Sequence, residues 1–91
     1  MSERARDVAR RALAAYGTEA QLRQLAEECC ELAAQVNRRA RGRDPGNVAL
    51  AKEAAQVQLM LLQLELALDP GQLEQAFEAE VERLERRLAE A

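Results

Sequence analysis

Between Val57 and Leu68, apolar side chains fall on nearly every side of a helix: Val57, Leu59, Met60, Leu61, Leu62, Leu64, Leu66 and Leu68. A helix that is greasy all round must be covered from several directions. The chain has only 91 residues to do this, and a chain of that size buries only about 60–65% of its unfolded surface. The segment therefore predicts a central helix, about Val48 to Leu68, packed by its neighbours and covered on one further side by another subunit.

The rest of the chain is made of helix formers. Ala, Leu, Glu, Arg and Gln dominate, and Tyr16 and Phe77 are the only aromatics. Breakers divide it into four segments at Gly17, Gly42–Gly46 and Pro70–Gly71. The first helix is expected over Glu3–Tyr16 behind an N-cap at Ser2, with a thin stripe of Val8, Ala12, Leu13 and Ala15. The second opens at Thr18, with Gln21 in the capping-box position. It buries Leu22, Leu25, Ala26, Cys29, Leu32, Ala33, Val36 and Ala40. Asp44 or Asn47 caps the third helix. The fourth begins at Asp69-Pro70-Gly71-Gln72 and buries Leu73, Ala76, Phe77, Val81, Leu84 and Leu88. The expected fold is all-α: one domain over 1–91, a four-helix bundle completed by oligomerisation. The breaks argue against a plain coiled coil, which needs sustained heptads.

Charge limits the partners. The net charge is −3, with nine Arg against six acids in residues 1–43 and four Lys or Arg against ten acids in residues 44–91. An acidic total argues against nucleic acid as the main partner, because such binding neutralises many phosphates. No segment is apolar and long enough to span a membrane, and no leader is visible. Cys29 and Cys30 are neighbours that diverge on a helix, and there is no His. They are expected to be small buried hydrophobes in a cytoplasmic protein, without a zinc site.

One pattern carries chemistry. Glu28 and Glu31, and then Glu53 and Gln56, each stand three residues apart and so share a helix face. The short turn between their helices makes those helices antiparallel neighbours. Three carboxylates and an amide oxygen brought together either repel one another or hold a hard cation such as Mg²⁺. The simpler alternative is a pair of solvated acidic faces.

The stretches Leu25-Ala26-Glu27-Glu28-Cys29-Cys30-Glu31-Leu32-Ala33 and Glu53-Ala54-Ala55-Gln56-Val57-Gln58-Leu59-Met60, with Arg41-Gly42-Arg43 between them, resemble the small, phage-like members of the MazG-type nucleotide pyrophosphohydrolases. The tail Glu80-Val81-Glu82-Arg83-Leu84-Glu85-Arg86-Arg87-Leu88 echoes that family's C-terminus. The hallmark of the family is E-x-x-E followed, after a gap, by E-x-x-D. Here Gln56 stands in place of the Asp, Lys52 where a second Glu is common, and Glu80 where many relatives have Lys.

The resemblance implies a MazG-like helical bundle, a homodimer or homotetramer. It also implies Mg²⁺- or Mn²⁺-dependent cleavage of a nucleoside triphosphate to monophosphate and pyrophosphate. Glu28, Glu31 and Glu53 would be catalytic, and the same three with Gln56 would hold the metal. One of these glutamates, or Glu27, would take the proton from water. Arg83, or one of Arg38, Arg39, Arg41 or Arg43, would meet the phosphates. Tyr16 either stacks on a base or packs on the next helix. Gln56, Lys52 and Glu80 also leave a second expectation: a catalytically silent relative that binds nucleotide or serves as a helical assembly module.

Overall fold

The computed structural model describes residues 2–91, and all of their regular structure is helical. Four α-helices follow in order: α1 (Glu3–Tyr16), α2 (Thr18–Ala40), α3 (Val48–Ala67) and α4 (Gln72–Glu90), with a 3₁₀ turn at Pro45–Asn47 before α3. No helix among the described residues is long and apolar enough to cross a membrane.

Helix ends follow local chemistry. Ser2 caps α1, its hydroxyl accepting from Ala5 N–H at 3.1 Å. The expected capping box at Thr18 does not form: Gly17 occupies the cap, and no side chain bonds to the first turn of α2. At the other end of α2, Gly42 takes a left-handed backbone (φ 71°). Arg43 N–H then reaches back to Arg38 C=O (2.9 Å) and Gly42 N–H to Arg39 C=O (3.0 Å). These two bonds satisfy carbonyls that the helix leaves free.

The choice between Asp44 and Asn47 as cap of α3 resolves in favour of Asp44. Its carboxylate spans the 3₁₀ turn and accepts from Ala49 N–H (3.0 Å) and Leu50 N–H (2.9 Å). Asn47 is itself held in a left-handed conformation, and its side-chain oxygen accepts from Arg39 Nε at 2.8 Å. The turn is thus tied to both helices that it joins. Asp44→Ala is expected to cost about 1–2 kcal/mol by uncapping α3, measurable as a lower midpoint in urea unfolding.

The contacts Arg39–Asn47 and Glu28–Gln56 run in opposite directions along the two helices, so α2 and α3 pack antiparallel. This pair forms the main seam, and α1 lies across both helices. Ala9 of α1 is wholly covered, and the remaining buried apolar groups, Val57, Met60 and Leu62, all belong to α3. Arg6 pairs with Glu65 at 3.7 Å across the α1–α3 contact. Gln35 and Gln63 are buried too, and Gln63 Oε1 has no partner.

Helix α4 differs from the other three. It makes no comparable packing against any of them. Val81, Leu84, Leu88 and Phe77, expected to line a core, are exposed, and Leu73 is only half-covered. Further expectations change with them: Val8 and Ala15 of α1, Ala26, Ala33 and Ala40 of α2 and Ala76 of α4 are also exposed. Cys29 and Cys30 are free and exposed. Tyr16 is also exposed, not packed against the next helix. Val36 lies open to solvent on α2. The core is small, Ala9 with Val57, Met60 and Leu62 of α3, and α4 makes no comparable packing against the other helices, so its stripe stays outside that core.

Candidate functional site

The acidic residues singled out by spacing come from the middle of the α2–α3 seam. Each helix presents its pair because i and i+3 lie on one face, and antiparallel packing sets the two faces at the same level. Gln56 is the hub. Its side-chain amide lies 2.8 Å from Glu28 Oε2 and from Glu53 Oε2, and the nitrogen-inward orientation lets it donate to both. That orientation satisfies all three groups, since an ionised carboxylate only accepts. Glu28 is held from a second side: Gln24 Nε2, one turn back on α2, donates to its Oε1 at 2.9 Å. Glu28 and Glu53 are therefore brought together across the seam and fixed.

The proximity has an electrostatic consequence. The Glu53 carboxyl is pushed above its ordinary value, first by partial burial against the seam and then by the charges of Glu28 and Glu31. A hydrogen bond with Glu28 adds to the rise, and Lys52 opposes it. Glu31 acts on Glu53 through its charge alone, without a direct bond in the cluster. Among the described residues, no three His, Cys, Asp or Glu side chains are gathered closely enough to enclose a metal ion.

A carboxyl that holds its proton more tightly when folded contributes stability below the ordinary carboxylate range. That contribution is lost as pH rises through the raised folded value. Glu53→Gln is therefore expected to raise the melting temperature at about pH 7 and to leave it little changed at about pH 4. Paired thermal melts at the two pH values check this.

The donor set suits a hard cation. Carboxylate and amide oxygens are the ligands that Mg²⁺ takes, and Mg²⁺ commonly uses one or two protein carboxylates together with substrate phosphates. Glu28 and Glu53 supply such a pair. Gln56 would join with its Oε1 facing the acids, the alternative to the donating orientation about a torsion with a broad, two-fold profile.

The expected phosphate-binding arginines lie elsewhere. Arg83 is on α4, where Glu80 of the same helix accepts from its Nε at 2.9 Å. Arg38 donates from Nη1 to Gln35 at 2.7 Å. It stands ten residues beyond Glu28, about 15 Å along the helix at 1.5 Å per residue. Arg41 and Arg43 are exposed in the turn after α2, and Arg39 is engaged with Asn47. Glu27 is exposed on α2. Sequence reasoning passed over Gln24, although its spacing of four from Glu28 on a helix is a usable signal.

Compared with known protein families, curated proteins and solved structures, the chain matches none.

Proposed function

We propose that the chain is a MazG-like nucleotide pyrophosphohydrolase: an all-helical protein, oligomeric when complete, that hydrolyses a nucleoside triphosphate to monophosphate and pyrophosphate with Mg²⁺ or Mn²⁺. One observation carries this reading. Glu28 and Glu53, from separate helices, meet at one amide, and the Glu53 carboxyl is raised by burial and then by its acidic neighbours. A carboxyl raised by desolvation and by specific charged partners is a functional-site candidate.

Mg²⁺ bound by Glu28, Glu53 and the turned Gln56 amide, with Glu31 alongside, would neutralise phosphate charge and acidify a bound water. The chain's own residues do the rest. Gln24 fixes the Glu28 carboxylate from behind, which limits the reorganisation needed when phosphate charge arrives. One of these glutamates, or Glu27 beside them, would accept the proton of the attacking water. Addition of that water across the α–β phosphoanhydride leaves monophosphate and pyrophosphate.

A second reading is favoured by the same Gln56. Its amide nitrogen lies between the two carboxylates, where a cation would otherwise bridge them, and it brings no negative charge. On this reading the protein is a catalytically silent MazG-like relative that binds nucleotide or serves as a helical assembly module. The test separates the two. The protein is incubated with a panel of ribo- and deoxynucleoside triphosphates plus Mg²⁺ or Mn²⁺, and pyrophosphate is measured. Metal-dependent release supports the enzyme. No release from any nucleotide, with release appearing in Gln56→Asp, supports the silent relative.

A further inference from the structure

The chain is too open for a finished monomer. It exposes 7024 Å², whereas a compact monomer of 10.1 kDa would expose roughly 5300 Å². Its radius of gyration is 15.7 Å, against about 12 Å for a compact chain of this length. The excess surface, roughly 1700 Å² per chain, exceeds the roughly 800 Å² that each partner buries in a standard interface and falls in the range of obligate dimers.

Among the described residues, five of the ten large apolar side chains left exposed lie on α4 and the adjoining edge of α3. On α4, Phe77 (64% exposed), Val81 (45%), Leu84 (53%) and Leu88 (68%) form a single stripe. The stripe runs into a hollow of about 300 Å³ at the α3–α4 corner, lined by Leu61, Glu65, Leu73, Glu74 and Phe77. Leu61 belongs to α3, the helix that is apolar on all sides, and it too is exposed. The side of α3 left open by α1 and α2 thus continues into the bare side of α4.

The geometry points to a second copy of this chain as the occupant of this face, with α4 packing antiparallel against α4 of its twin. The inference rests on the oligomeric part of the reading above and is independent of the catalytic part. The spacing of Phe77, Val81, Leu84 and Leu88, four then three then four, is that of a two-helix seam. A self-complementary stripe of this kind suits a two-fold dimer, in which the same patch serves both partners.

The flanking charges set the direction. Glu78 and Glu85 lie on one flank of the stripe, Glu80 and Arg87 on the other. Parallel helices would set Glu80 against Glu85 of the partner subunit, twice. Antiparallel helices set Glu80 against Arg87 of the partner subunit, twice, which offsets the Glu78–Glu85 contacts. Such rim pairs select orientation more than they add strength.

Sedimentation equilibrium of the full chain at micromolar concentration tests this, with circular dichroism as the check on folding. The expected mass is twice that of the 10.1 kDa chain. Val81→Glu and Leu88→Glu are each expected to weaken association about tenfold or more with helicity unchanged, Leu88→Glu serving if Val81→Glu disturbs the helix. Val48→Glu, exposed at the far end of α3, leaves the mass unchanged. Glu80→Arg weakens the dimer, and adding Arg87→Glu restores it. A tetramer that the Val81 and Leu88 variants split into dimers supports the same face. A single-chain mass at every concentration overturns both the face and the oligomeric reading. An oligomer indifferent to Val81→Glu and Leu88→Glu overturns the face alone. Failure of Arg87→Glu to rescue Glu80→Arg overturns the antiparallel arrangement.

Discussion

Gln56→Asp is expected to tighten Mg²⁺ binding by about tenfold or more, because a third anionic oxygen raises the affinity of a hard-cation site. The same substitution carries a cost without metal. The amide that now lies between Glu28 and Glu53, 2.8 Å from each and able to donate to both, is replaced by another acceptor. Acids that were bridged then repel. The variant is accordingly expected to melt below the parent protein in chelated buffer and to recover as Mg²⁺ is added, since a ligand that binds only the folded state stabilises it by mass action. Isothermal titration with Mg²⁺ and thermal melts with and without chelator measure the two halves. A variant that binds Mg²⁺ no better than the parent would remove the metal from the account of this site.

Glu28→Gln is expected to lower metal-dependent pyrophosphate release by at least about 100-fold, the loss typical when one member of a preorganised electrostatic set is removed. Glu28 is the most constrained acid of the group, gripped by Gln24 on its own helix and by Gln56 on the facing one. Its amide isostere keeps size and shape, so helicity should change little while release falls. The measurement is steady-state pyrophosphate formation at saturating Mg²⁺, compared with Glu27→Gln. Glu27 is exposed one position away and outside the hydrogen-bonded cluster, so its loss is expected to leave the rate nearly intact.

The helix plan of this chain was legible because its punctuation is strong. Ser2, Gly42 and the Asp44-Pro45-Gly46-Asn47 turn each have a local mechanism that ends or starts a helix. The register of the site was legible for a similar reason: two pairs at spacing three, on helices joined by a short turn, can hardly avoid meeting. What the sequence hid was tertiary. Hydrophobic periodicity marks a stripe that needs cover without saying whether the cover lies in the same chain. Phe77 and Leu88 on α4, and Cys29 on α2, were misplaced in that way. Side-chain competition was hidden as well. Asp44 and Asn47 are equally good caps on paper, and only the engagement of Asn47 by Arg39 leaves α3 to Asp44. The facing of the Gln56 amide depends on which groups surround it, so its role as a donor between two acids emerges only once the helices are placed.

Every group in the acidic cluster lies on α2 or α3, and only the turn at residues 41–47 separates those helices. Closing so small a loop costs little chain entropy. Helical hairpins with such local contacts are among the quickest units to assemble, on the microsecond-to-millisecond scale. The cluster can therefore take shape while the chain is still isolated, with the encounter of two copies left as the later, concentration-dependent event.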